Sequence, residues 1–156
     1  FNIKKIRNLG ALVKSDHELI GLNSRMDTIQ AAILKNKISL LNKNNYRRRK
    51  IANYYEKYIK NSKITKLSYS KYAVYHQYVV IVKNRNSFTN YLKSNFVGFS
   101  FHYSKAIHQH RSLKKYFKNQ SFKNAEMIAR YGVSIPIDPS LNVNQVKYIV
   151  KILNNF

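Results

Sequence analysis

The chain has 156 residues, no cysteine and a formal net charge of +23. That length is enough for one domain with a real core, and the absence of thiols excludes disulfides and thiolate metal sites. No apolar run approaches the roughly 20 residues of a membrane-spanning helix, and no apolar run follows the basic amino end as a signal peptide would require.

In chain order, residues 1–20 read as an opening segment, with Ile3, Ile6 and Leu9 at helical spacing before Gly10. Lys14-Ser15-Asp16-His17-Glu18 is polar loop. Gly21 to Asp27 reads as a tight turn, with Ser24 as N-cap and Asp27 three residues on as a weak capping box. A long helix is expected from about Met26 to about Ile59, spanning roughly 50 Å. Asn61 to Tyr72 is polar and linker-like. Tyr75 to Val82 is a strand rich in β-branched and aromatic residues. Ser87 is expected to cap a short helix ending near Ser94. Phe99 to His102 forms a second strand after Gly98. Ser112–Phe117 and Phe122–Tyr131 read as helices, the latter closing on Gly132 as a C-cap. Val133 to Ile135 is a third strand, stopped by Pro136. Asn142, with Gln145 three residues later, opens a last amphipathic helix. Strands alternating with helices predict an α/β chain of the α+β kind, a small, mostly antiparallel sheet covered by helices.

The turn at Gly21 admits two readings. Asn23 and Arg25 are either part of an ordinary capped helix start, or they form an anion cradle with the first helical amides. The run Arg47-Arg48-Arg49-Lys50 lies in the long helix. Successive positions there turn by about 100°, so the run cannot make one face. His102, His108 and His110 follow the second strand, but no carboxylate lies near them in sequence, and no metal site is expected. The chain has neither a phosphate-binding glycine loop nor a carboxylate pair, so no catalytic residue is assigned.

The charge raises nucleic acid as a partner. However, Lys greatly outnumbers Arg, and Lys, Asn, Ile, Tyr and Phe together make up roughly half the chain. All five have A/T-rich codons, whereas a nucleic-acid reader favours the bidentate fork of Arg. Genome composition is therefore the preferred cause, and a basic nucleic-acid-binding module stays as the alternative. A non-catalytic interaction fragment, docking through its long helix, is the third reading.

Gly21-Leu22-Asn23-Ser24-Arg25-Met26-Asp27, followed by Gln30-Ala31-Ala32-Ile33-Leu34, resembles a motif of the DegT/DnrJ/EryC1/StrS family of pyridoxal-phosphate sugar aminotransferases. Arg48 to Tyr55 is similar to the family's segment on the same helix. Val74 to Val80, Phe101-His102-Tyr103 with Ile107-His108, and Ala125-Glu126 through Ile135-Pro136, Pro139 and Leu141 continue the resemblance in order. Ser104 and Ala106 replace prolines of the family loop, which loosens that loop.

The resemblance covers the carboxyl-terminal part of such enzymes. It implies the small C-terminal domain of a fold-type I aminotransferase. Residues 1–60 would be the tail of a large domain plus an interdomain helix, and residues 61–156 a small α/β domain. It implies pyridoxal 5'-phosphate as cofactor, with Asn23 and Arg25 toward its phosphate across a dimer interface. His102, Tyr103 and His108 would line the nucleotide-sugar pocket. The family lysine that holds the cofactor lies upstream of the matched motifs, so the chain is expected to be a fragment, split-gene product or degraded copy, inactive alone. Expected partners are a second copy or an amino-terminal chain, a nucleotide-linked keto-sugar and glutamate. Neither membrane nor nucleic acid is an expected partner, and a cytoplasmic location is expected.

Overall fold

The computed structural model describes residues 2–13, 16–118 and 120–156. Phe1, and the Lys14-Ser15 part of the expected polar loop, lie outside the described residues. The chain divides into two compact units, 1–42 and 43–156.

The first unit holds helix α1 (Asn2–Ile6), an extended stretch and the start of helix α2 (Thr28–Tyr58). Helix α1 ends four residues before Gly10, which takes a φ of +85° that a side chain resists. The expected turn at Gly21 is not a turn. Main-chain bonds run from Leu22 N to Ile6 O (2.7 Å), Leu9 N to Leu22 O (3.1 Å) and Ser24 N to Arg7 O (2.9 Å). These bonds hold residues 22–24 extended against residues 6–9. Gly21 is needed for close approach, since a Cβ there would lie 2.1 Å from Gly10 N. Helix α2 starts only where this pairing ends, and Asp27 O accepts its first bond from Ala31 N at 2.9 Å. Ser24 is therefore not the cap.

The second unit carries the core. No Gly or Pro interrupts Thr28–Tyr58, so α2 runs unbroken and buries Ile51, Ala52 and Tyr55. Strands β1 (Thr65–Lys66), β2 (Tyr78–Ile81) and β3 (Gly132–Ile135) form an antiparallel sheet in the order β1-β2-β3. The register pairs Tyr78 with Ile135 and Val80 with Val133. Helices α3 (Arg85–Ser94), α4 (Lys123–Tyr131) and α5 (Val143–Asn154) complete the unit. Phe88 and Leu92 of α3 join Val146, Ile149, Val150, Ile152 and Leu153 of α5 in one cluster with Tyr55, Tyr78, Val80 and Val133. The fold is α+β, as the residue pattern implied.

Several local expectations are corrected. The stretch 61–72 is not a free linker. Lys66, in β1, donates its ammonium to the carbonyls of Glu56 (2.6 Å) and Ile59 (3.3 Å), and Asn61 Nδ2 bonds Leu153 O at 2.9 Å. The orphan carbonyls at the end of α2 thus find a cation. The strand expected over 75–82 is only four residues long, and the 99–102 strand reduces to one bridge, Ser100 with Ser134. Asn84, not Ser87, caps α3. The 112–117 helix is a single 3₁₀ turn, Lys114–Tyr116. Gly132 closes α4 as its C-cap, as expected, with its N–H donating to Ile128 O, but without a left-handed backbone. It is already extended, at φ −70° and ψ 135°, as the first residue of β3. The capping box at Asn142 and Gln145 forms as expected.

Candidate functional site

Within the first unit, Asn23 is exposed, and its backbone is bridged to Asn8. The Arg25 guanidinium donates to the Asn8 side-chain oxygen, and Asn8 Nδ2 donates to Ala11 O at 2.8 Å. Asn8 therefore organises this stretch from fifteen residues before Asn23. No periodic pattern or motif marks it, because the contact is made by chain pairing. Among the described residues, no hydrogen bond engages the Asn23 carboxamide. Helix α2 begins at Thr28, three residues beyond Arg25.

Within the second unit, the loop after the Ser100–Ser134 bridge carries the histidines. His102 Nδ1 lies 2.8 Å from Ser134 Oγ of β3, and its ring meets the Tyr103 ring edge-on at 5.5 Å. Tyr103 is 70% exposed. The peptide between these two residues is cis. A 3₁₀ turn at Ile107–Gln109 follows. There His108 Nε2 lies 2.9 Å from Glu126 Oε1 of α4, and the His108 side chain is only 10% exposed. His102 and Tyr103 come together, whereas His108 turns into its own contacts.

Glu126 is the carboxylate that sequence order did not bring near the histidines. Besides His108, it accepts from Phe122 N (2.9 Å) and Ser121 Oγ (3.0 Å). The Phe122 amide above all, then Ser121 and His108, hold its carboxyl below the usual carboxylate range. Ser134 was likewise unmarked, being a strand residue whose hydroxyl matters only once β3 lies beside the loop. Among the described residues, no cluster of three or more His, Asp or Glu could hold a metal ion.

The basic run of α2 does not make one surface. Arg48 Nη1 bonds Asn45 Oδ1 and Arg49 Nε bonds Ala73 O, each at 3.2 Å, while Arg47 and Lys50 edge a cavity of about 510 Å³ with Ile51, Leu141 and Val146. No helix among the described residues is long and apolar enough to cross a membrane.

A sequence profile of the DegT/DnrJ/EryC1/StrS aminotransferase family matches residues 2–154. The chain belongs to this family. It is 36% identical over 153 residues to the dTDP-3-amino-3,6-dideoxy-alpha-D-galactopyranose transaminase of Aneurinibacillus thermoaerophilus, covering 97% of this chain and 42% of that protein. It is 30% identical to the erythromycin biosynthesis sensory transduction protein EryC1 of Saccharopolyspora erythraea, covering 97% and 42%. The fold superposes on Streptomyces venezuelae DesV, solved with a ketimine intermediate. That match has a TM-score of 0.90 at 26% identity, over 99% of this chain and 43% of that one. A DegT DnrJ EryC1 StrS aminotransferase from Brucella abortus shares the fold at TM-score 0.90 and 23% identity, over 99% and 42%. The chain thus spans less than half the length of the curated relatives it matches.

Proposed function

We propose that the chain is the carboxyl-terminal part of a pyridoxal-phosphate-dependent aminotransferase that moves an amino group from glutamate to a nucleotide-linked keto-sugar. The observation that carries this reading is the 36% identity to a dTDP-sugar transaminase, sustained over 97% of the chain. In this reading the chain works in polysaccharide or glycoside biosynthesis, in the cytoplasm. Residues 1–60 would serve the interdomain connection, and residues 61–156 would be the small domain.

The donors present suit the phosphate of pyridoxal phosphate. Asn23 offers an uncommitted carboxamide and Arg25 a guanidinium, both exposed. A carboxamide donates without charge, and a guanidinium donates from a fixed fork that suits phosphate oxygens. When bound, the cofactor supplies the electron sink for amino transfer. Asn23 and Arg25 then anchor its phosphate, and Arg25 stays aimed through its bond to Asn8. On the sugar side, Tyr103 offers an exposed hydroxyl and ring, and His102 a ring nitrogen beyond the one facing Ser134. His108, with Nε2 committed to Glu126, would serve the pocket by anchoring the loop that lines it. No catalytic residue is assigned to this chain.

The chain's own surface supports a missing partner, either a second copy or an amino-terminal chain. On the first half of α2, Ile29 (77%), Ile33 (50%), Leu34 (49%) and Ile38 (71%) are exposed. Isolated apolar residues on a surface are ordinary, but a run of them along one helix marks an interaction site. The test is co-expression with the amino-terminal part of the Aneurinibacillus relative, followed by transfer of the ¹⁵N label from glutamate to a dTDP-keto-sugar. Labelled amino-sugar from the pair, and none from either piece alone, is the expected result. A pair that assembles and transfers nothing refutes the proposal.

A further inference from the structure

We propose that Glu126 is a positioning residue that latches the loop carrying His102, Tyr103 and His108 onto α4. The loop from 103 to 118 is long and mostly bonded to itself. Its main-chain bonds run Gln109 N to Ala106 O (2.9 Å), His110 N to Ile107 O (3.2 Å) and Lys114 N to His110 O (2.9 Å). Among the described residues, His102 bonds Ser134 of β3 where the loop begins, and beyond it the hydrogen bond that ties residues 103–118 to a helix joins His108 to Glu126. A loop this long needs such a tie to keep one conformation.

The tie is well built. A carboxylate can only accept, so His108 Nε2 carries the proton and donates it. One oxygen of Glu126 collects His108 Nε2, Ser121 Oγ and Phe122 N at 2.9, 3.0 and 2.9 Å. Charge-assisted bonds of this kind are roughly twice as strong as neutral ones. The Phe122 amide is an orphan donor just before α4, so the same carboxylate satisfies the start of that helix. The imidazole is further enclosed by the rings of Phe122 (5.0 Å) and Phe117 (6.5 Å). Arg111, Lys114 and Lys115 line a basin of about 970 Å³ with His108 and Glu126, so their positions follow the latch as well. The consequence for substrate rests on the proposed function, because it takes the loop to line the nucleotide-sugar pocket. The latch itself does not.

Amide hydrogen exchange on the 156-residue chain, with no ligand added, tests it. Glu126→Ala should speed exchange at Gln109, His110 and Lys114 by about tenfold. Val79, Val80 and Val133 in the sheet should be unchanged. Glu126→Gln keeps a carbonyl acceptor and should recover most of the protection. His108→Phe keeps a ring among Phe117 and Phe122 and should loosen the loop as Glu126→Ala does, with the double variant no worse than either single one. Unchanged loop exchange in Glu126→Ala, equal acceleration across the sheet, or additive effects in the double variant would each overturn the latch. In the assembled enzyme, Glu126→Ala should raise KM for the nucleotide sugar and leave kcat near its original value. A loosened loop with unchanged KM leaves the latch standing and refutes the pocket reading instead.

Discussion

Tyr55 joins α2 to the segment that follows β3, and changing it tests how the second unit is held. The residue is fully buried, its hydroxyl donates to Pro136 O at 2.7 Å, and its ring meets Tyr78 edge-on at 5.2 Å. Tyr55→Phe removes the hydroxyl and keeps the ring. The lost bond and the half-buried carbonyl left behind should cost about 1–2 kcal/mol. Tyr55→Ala also removes the ring and should cost about 3–5 kcal/mol. Urea unfolding resolves the two, because a slope of about 2 kcal/mol per molar turns the smaller loss into a midpoint shift of about 0.5–1 M. A second reading comes from alkali. Burial pushes the Tyr55 and Tyr78 hydroxyls well above the ordinary tyrosine range, and Glu56 adds to this at Tyr78. Both groups ionise more readily when unfolded, so their contribution is whole below a pH of about 10 and is lost as pH rises toward the folded values. Tyr55→Phe should flatten part of that alkaline loss. An unchanged urea midpoint together with an unchanged alkaline profile would refute the assignment of Tyr55 as the tie between α2 and the sheet.

Asn142→Ala removes the side-chain oxygen that accepts from Gln145 N, leaves the bond from Asn142 N to Gln145 Oε1, and should cost about 1 kcal/mol by thermal or urea unfolding. Gly132→Ala puts a Cβ 2.4 Å from Ile128 O, a main-chain atom that cannot swing away. It should destabilise by more than about 1 kcal/mol despite an ordinary φ, as seen in a lowered melting temperature. Acid should weaken the chain. Glu126 and Asp138 are held below their ordinary values, Asp138 by the Ser140 hydroxyl and amide with Arg48 adding. Their stabilising contributions are present above a pH of about 4 and fade as pH falls through the folded values, which a pH series of melting curves reads directly.

The long helix, the last helix with its capping box, and the β2–β3 core were legible because each rests on local pattern: unbroken helix formers, Asn142 with Gln145, and β-branched runs. The elements misplaced were those decided by distant partners. The stretch around Ser24 looks like a helix start until residues 6–9 pair with it. The segment 61–72 looks like a linker until Lys66 reaches the carbonyls of α2. His102, Tyr103 and His108 could be singled out by motif resemblance. That His108 is tied up by Glu126, eighteen residues on, depends on where α4 packs, and spacing along the chain carries no trace of it. Asn8 was equally hidden behind Arg25. The basic run of α2 was rightly read as unable to form one face, for helical geometry alone settles that.

Cofactor titration of the assembled pair, this chain with the amino-terminal part of a family relative, addresses the central proposal most directly. Bound pyridoxal phosphate should give its visible absorbance in the pair, and Asn23→Ala or Arg25→Ala should weaken that binding with assembly intact. A pair that forms and binds no cofactor, or that binds it as tightly without Asn23 and Arg25, would contradict the proposal.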